Sequence, residues 1–205
     1  MTIRLHKHDL PDLSRYDVEA VAIDTETLGL KPHRDRLCVV QISPGDGTAD
    51  VIQIAPGQKK APNLVSLLRN RRITKIFHFG RFDLAMLSHA LGAMPEPVFC
   101  TKIASRLTRT YTDRHGLKDL CAELIGVSLS KVQQTSDWAA ETLSPEQLDY
   151  AASDVLYLHQ LREALVARLD RDGRAKEAEA CFRFLPTRAR LDLMGWDEED
   201  IFAHS

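Results

Sequence analysis

The chain has almost no net charge, with 27 Lys and Arg against 29 Asp and Glu and a formal balance of −2. A protein that coats nucleic acid without selectivity needs a basic surplus, so any such contact must come from a local patch. It has no C-x-x-C pair, and its four cysteines, Cys38, Cys100, Cys121 and Cys181, are widely spaced. That spacing excludes the paired-thiol zinc and redox motifs. Three of the four sit among apolar residues and read as small buried hydrophobes of a reducing compartment. No window approaches the run of about 18 uncharged apolar residues that a membrane span requires. The first ten residues carry charges where a signal peptide would have its apolar core. Repeats and low-complexity linkers are missing too. These absences predict a soluble, cytoplasmic protein with no membrane partner.

What is present suits a folded enzyme. A length of 205 residues with 44% hydrophobic content fits one large domain, residues 1–205, with a core over about 18–165 and a helical extension over about 166–205. Strands are expected over Glu19 to Thr25, Arg36 to Ser43 and Thr48 to Ile54. The last two are joined by Pro44-Gly45-Asp46-Gly47, a hairpin signal, so the three should form an antiparallel meander. A helix from about Pro62 to Asn70 would show Leu64, Leu67 and Leu68 on one face. A strand over Ile73 to Phe79 and a helix over Phe82 to Leu91 follow. Beyond Cys100 the pattern is almost wholly helical. Gly116 to Ile125 should end on Gly126, and Ser144-Pro145-Glu146-Gln147 is a capping box opening one long helix through Leu165. The tail from Arg171 to Glu179 reads as a solvated helix face. The expected class is α/β, a mixed five-stranded sheet flanked by helices.

Three short segments carry the chemistry. Asp24 and Glu26, two apart on a strand, leave the same face. Asp83 opens a helix just after a strand. Tyr150 and Asp154, four apart on a capped helix, also share a face. Each acid sits within or beside apolar sequence, where an unpaired charge would cost several kcal/mol. Converging carboxylates tolerate such surroundings when a divalent cation compensates them. Hard oxygen donors without His or Cys nearby suit Mg²⁺ or Mn²⁺ rather than Zn²⁺. Two such ions can activate a water and stabilise the attacking and leaving oxygens of a phosphodiester. Each pattern is weak alone. All three in order, each beside the right element, are not.

The segments Asp24-Thr25-Glu26-Thr27-Leu28-Gly29-Leu30, His78-x-x-x-Phe82-Asp83 and Tyr150-Ala151-Ala152-Ser153-Asp154-Val155 resemble the three exonuclease motifs of the DEDDy 3′–5′ exonucleases, with ribonuclease D as the nearest broad relative. Three further stretches, Lys31 to Arg36, Arg109 to Gly116 and Asp200 to Ser205, are similar to the NrnC-type nano-RNases of alphaproteobacteria. The resemblance implies an RNase H-like fold, with two Mg²⁺ or Mn²⁺ ions held by Asp24, Glu26, Asp83 and Asp154. Tyr150 would position the water, and nucleoside 5′-monophosphates would leave from a 3′ end. It further implies very short RNA, notably dinucleotides, as substrate and a homo-octameric ring. The helical nucleic-acid-binding domains of ribonuclease D find no room in the chain, which favours the single-domain relatives.

The resemblance also suggests roles for neighbouring residues. Thr27 would meet the terminal 3′-hydroxyl, and Leu30, beside Leu28, would wedge against bases; the alternative is that both leucines are ordinary core. His78 is expected at a phosphate or as a buried, hydrogen-bonded histidine. Arg81 either contacts phosphate or snorkels from the helix start. Between Cys100 and Leu120, five basic residues face two acids, the best local candidate for phosphate binding. Within that stretch Lys102 and His115 are the chosen candidates. The apolar ending from Leu193 to Phe202 either folds back or meets a second subunit, and the second is preferred. Two other readings stay open: a broader exonuclease that trims structured RNA or DNA ends, single-stranded DNA included, and a catalytically silent nucleic-acid-binding module. Silence is disfavoured, because a pure binder has no use for four inward acids that repel phosphate.

Overall fold

The computed structural model describes residues 2–129, 133 and 135–204; Met1 and Ser205, at the two ends read above, lie outside the described residues. The sheet has six strands, one more than expected. They are β1 (Thr2–Lys7), β2 (Ala20–Thr27), β3 (Leu37–Ser43), β4 (Thr48–Gln53), β5 (Thr74–Phe77) and β6 (Val98–Cys100), in the spatial order β1-β4-β3-β2-β5-β6. β2, β3 and β4 form the expected antiparallel meander. β1 adds parallel to β4 at one edge, and β5 and β6 continue parallel from β2 at the other. β1 escapes a hydrophobicity reading because Arg4, His6 and Lys7 interrupt it. It is held instead by its ladder and by a His6 to Asp50 Oδ1 contact of 2.8 Å.

Seven α-helices appear among the described residues: α1 (Pro62–Arg69), α2 (Arg81–Leu91), α3 (Thr101–Thr108), α4 (Leu117–Ile125), α5 (Pro145–Leu156), α6 (Leu158–Arg171) and α7 (Ala175–Leu191). Leu64, Leu67 and Leu68 are buried on α1, and α4 ends at Gly126. The capping box at α5 forms in full, with Ser144 accepting from the Gln147 backbone and the Gln147 side chain accepting from the Ser144 backbone. The single long helix expected beyond it is two, divided at Tyr157. α5 lies across β1 to β4, whereas α6 turns to pack on α3 and α4 through Leu158, Leu161, Leu165 and Leu169. The apolar spacing runs unbroken through the division. Periodicity therefore could not show it; the change of packing partner produces it.

The sheet's two faces have separate jobs. Val39 and Val51 pack with Trp138, Leu143 and Ala151 under α5. Ile23, Val40, Ile42 and Ile52 pack in the larger core with α1, α2 and α6. Because β2 and β5 run parallel, their C-terminal ends share one edge of the sheet. The three-residue link from β5 to α2 delivers the start of α2 to that same edge. None of the described helices is long and apolar enough to cross a membrane.

Candidate active site

Asp24 pairs with Gln41 and Glu26 with Val39 in the β2–β3 ladder, so both acids point to the α5 side. The ladder shifts register between Glu26 and Thr27, ending regular pairing where the chain leaves for loop 28–36. From α5, Tyr150 and Asp154 face the same spot one helical turn apart. Ligand oxygens of Asp24, Glu26 and Asp154 lie within 4.8 Å of one another. Asp83 sits in the first turn of α2, 3% exposed, and Thr25 Oγ1 donates to its Oδ1 at 2.6 Å. The four expected acids and the tyrosine line one cavity of about 620 Å³.

The electrostatics show what kind of group suits this cavity. Burial, followed by the charges of Asp83, Asp154 and Glu26, raises the Asp24 carboxyl well above its usual range. Burial pushes Glu26 up to about 9, with Asp154 and Asp83 adding to it. Burial also lifts Asp83 and Asp154 to about 7, partly opposed by hydrogen bonds from Thr25 and Tyr150. Among the described residues, no basic side chain takes part in any of these shifts. Four crowded acids without a cationic partner, offering oxygens alone, fit a hard divalent cation. The Tyr150 phenol is raised too, by burial and then by Asp154, Glu26 and Asp24, so it stays protonated and acts as a donor.

The substrate-side expectations divide. Thr27, Leu28, Leu30, His78 and Lys102 all line the cavity. Thr27 Oγ1 donates to the Gly29 carbonyl at 2.6 Å. Leu28 and Leu30 are not core: both are exposed, Leu30 at 79%, on a loop closed by Asp35. Asp35 Oδ2 accepts from the Lys31 backbone at 2.9 Å. A Cβ on Gly29 would lie 2.3 Å from that carboxylate, so only glycine admits the closure. His78 Nδ1 meets Thr101 Oγ1 at 2.9 Å, and that hydroxyl donates to the Phe77 carbonyl. His78 is therefore the donor through Nδ1, leaving Nε2 as an acceptor. Burial and then Lys102 hold its pKa down at about 3, so it is a neutral group and not a cationic clamp.

Two expectations need correction. Arg81 does not line the cavity; its guanidinium forks onto Asp192, with Nε to Oδ2 at 2.6 Å and Nη2 to Oδ1 at 2.8 Å. A rigid five-donor fork favours a planar carboxylate within reach, and the C-terminal segment supplies one. His115 also stands off the cavity, its Nδ1 engaged with Ser105 Oγ at 2.8 Å, while its neighbours Gly116, Leu117 and Lys118 form the wall.

Sequence reasoning missed Phe79 and Trp138, and it gave no separate role to Phe82, which stands in the second motif, or to Lys118, which belongs to the basic stretch between Cys100 and Leu120. Phe79 takes φ 63°, rare for a bulky residue, which turns it outward beneath Lys102, whose Nζ lies 4.3 Å from the ring centroid. A Phe before Gly at a strand-to-helix junction was the available signal. Buried Trp138 backs Tyr150 with ring centroids 6.0 Å apart, and no periodicity marks it.

Residues 9–170 match the family described as 3′–5′ exonuclease. Ribonuclease D of Acidiphilium cryptum is 36% identical over 192 residues, covering 88% of this chain and 48% of its own length. Ribonuclease D of Gluconacetobacter diazotrophicus is 36% identical over 154 residues. The chain thus spans about half the length of the curated relatives it matches. Among solved structures, Brucella melitensis NrnC with bound Mg²⁺ is 76% identical over the whole of both chains, with a TM-score of 0.97. The same protein bound to pGG superposes with a TM-score of 0.98. Escherichia coli RNase D is 27% identical over 86% of this chain and 46% of its own, at a TM-score of 0.75. Since the match over residues 9–170 takes in the strand, the junction and the helix that supply the acids, the chain belongs to the DEDD-type 3′–5′ exonuclease family.

Proposed function

We propose that the protein is a metal-dependent 3′–5′ exoribonuclease that hydrolyses very short RNA, especially dinucleotides, to nucleoside 5′-monophosphates. One observation carries this reading: the acids sit in a cavity of about 620 Å³ whose mouth is bordered by the exposed Leu28 and Leu30 and by Phe79. Its size falls within the roughly 300–1,000 Å³ typical of small-ligand sites. Similarity at 76% identity to a protein solved with pGG supports the same substrate class. Residues of about 18–165 serve as catalytic core, with about 166–205 a helical extension.

Asp24, Glu26, Asp83 and Asp154 would hold two Mg²⁺ or Mn²⁺ ions. Bound, these cations neutralise the acids, offset phosphodiester charge and make a nucleophilic water accessible near neutral pH. The chain's own residues do the rest. The Tyr150 hydroxyl, protonated at neutral pH as an ordinary phenol is, orients the water towards phosphorus. Thr27 meets the terminal 3′-hydroxyl, and Leu28, Leu30 and Phe79 supply apolar surface for the bases. Lys102 and Lys118 line the cavity from α3 and α4 and offer positive charge suited to the non-bridging oxygens of a second nucleotide. His78 Nε2, unprotonated, can accept from a ribose hydroxyl.

A broader, ribonuclease D-like activity on longer ends is the second reading, favoured by the curated relatives' names. End-labelled RNA of two to twenty nucleotides, with DNA controls, separates the two in Mg²⁺. A marked rate advantage at two nucleotides supports the first, and a flat length dependence supports the second. Asp154→Asn should abolish hydrolysis by either route with the fold retained. Residual Mg²⁺-dependent cleavage by that variant would eliminate the site.

A further inference from the structure

The outer rim of the cavity is tied to the C-terminal segment. Asp192, just beyond α7 and with its side chain 11% exposed, accepts four hydrogen bonds. Two come from the Arg81 fork already described, and two from Arg188, whose Nε and Nη2 reach Oδ1 at 2.9 and 2.7 Å. One carboxylate shared by two guanidiniums fixes the plane of both. Gly195 then takes φ 103°, closed to residues with a Cβ except at a strain cost, and turns the chain back on the same pair. Arg81 Nη2 donates to the Asp197 carbonyl at 2.7 Å and Arg188 Nη1 to the Glu199 carbonyl at 3.1 Å, while Nη2 of Arg188 meets the Trp196 carbonyl. One residue past Asp192, the Leu193 carbonyl accepts from His33 Nε2 at 2.8 Å.

Both anchor points lie on elements that carry the cavity wall. Arg81 starts α2, beside Phe82 and two residues before Asp83. His33 belongs to the loop that presents Leu28 and Leu30. That loop is braced internally, since the Lys31 carbonyl accepts from the Arg34 and Asp35 backbones while Asp35 returns to the Lys31 backbone. A pull at His33 therefore moves the loop as a unit. The Lys31–Glu198 pair at 3.9 Å is exposed and adds little.

We propose that the segment from Asp192 to Glu199 is a clasp, with Asp192 and His33 as positioning residues that set where Leu28 and Leu30 stand relative to the acids. The proposal rests on the reading of the cavity as a short-RNA site and goes beyond it by locating a determinant of substrate affinity outside the cavity. Asp24, Glu26 and Asp154 are held independently of the clasp, from β2 and α5, and Asp83, although it shares α2 with Arg81, is pinned separately by Thr25. Opening the clasp consequently weakens the hold on the bases and spares the hydrolytic step.

The test is steady-state kinetics on the shortest RNA that the wild type hydrolyses. His33→Ala alters an exposed side chain, and Asp192→Asn keeps the shape while removing the charge. Each should raise KM about 5- to 20-fold and change kcat less than about 3-fold. The double variant should be little worse than the poorer single one, because both changes open one clasp. Should Asp192→Asn fail to fold by circular dichroism, His33→Ala decides alone. A wild-type KM in folded His33→Ala, or a loss confined to kcat, overturns the clasp. A wild type that acts equally on all lengths overturns the dinucleotide reading and leaves the clasp to be judged by the same KM comparison.

Discussion

Thr25 and Asp83 are joined across 2.6 Å, although Thr25 leaves the face of β2 opposite to Asp24 and Glu26. Alternation along a strand explains the arrangement. Asp24 and Glu26, on one face, reach α5, and the residue between them secures the third acid on α2. A single strand thus sets the positions of three carboxylates, and α5 contributes the fourth. The hydrogen bond also opposes burial at Asp83, which would otherwise hold its proton still more strongly.

Thr25→Val keeps the volume and deletes that donor. The Asp83 pKa should rise above its present value of about 7, because a bond to the charged form is lost. The acidic limb of the profile of kcat/KM against pH should move to higher pH, and the rate at neutral pH should fall by about 10-fold. An unshifted profile in Mg²⁺ would show that Thr25 does not govern Asp83.

Without metal, the acid cluster should make stability fall as pH rises. Asp83 and Asp154 have folded values of about 7 against 3.8 ordinarily, and Glu26 about 9 against 4.5. Folded values raised above unfolded ones mean that the native state binds more protons. The favourable contribution is complete below about pH 4 and is lost progressively as pH climbs through 7 and then 9. In EDTA the Tm should therefore decline from pH 6 to pH 9 beyond the change in an Asp24→Asn/Asp154→Asn control. Added Mg²⁺ should raise Tm more at pH 8.5 than at pH 6, since it competes with fewer protons. A Mg²⁺ effect independent of pH would contradict the cluster as a cation site.

Tyr150→Phe removes a hydroxyl and little else, because Trp138 still backs the ring. An orienting donor acts in the transition state more than in substrate binding. The expected result is a fall in kcat of about 10²-fold or more with KM within about 3-fold. Wild-type kcat in the variant would remove Tyr150 from the chemistry.

The parts legible in the sequence were those fixed by short-range rules. Two-residue spacing on a strand put Asp24 and Glu26 together, and four-residue spacing behind a capping box did the same for Tyr150 and Asp154. Arg81 was misread because its partner, Asp192, lies 111 residues away, and a long-range ion pair leaves no local pattern. The exposure of Leu30 depended likewise on a loop closure through Asp35. Phe79 takes its place from a backbone angle that composition does not encode. β1 was invisible because ladder bonds and the His6–Asp50 hydrogen bond hold it, rather than an apolar stripe.

The end of the chain bears on assembly. Its backbone folds back on its own subunit through Arg81 and Arg188, yet Met194, Trp196, Ile201 and Phe202 remain exposed, Phe202 at 76%. Folding back and meeting a neighbour are therefore not alternatives: the clasp uses the Asp192 carboxylate and backbone carbonyls and leaves these apolar side chains outward. Single exposed hydrophobes are ordinary, but four within nine residues form a patch of the kind that marks association. Met194→Lys combined with Phe202→Glu changes that outward surface and, within the subunit, the contact of Phe202 with Phe184, whose ring centroid lies 5.8 Å away. If a homo-oligomer, such as the octamer that the family resemblance implies, is built through this patch, light scattering should show the mass falling to a smaller whole number of subunits while circular dichroism stays that of the wild type. A mass unaltered by both substitutions would assign the assembly contact to another surface.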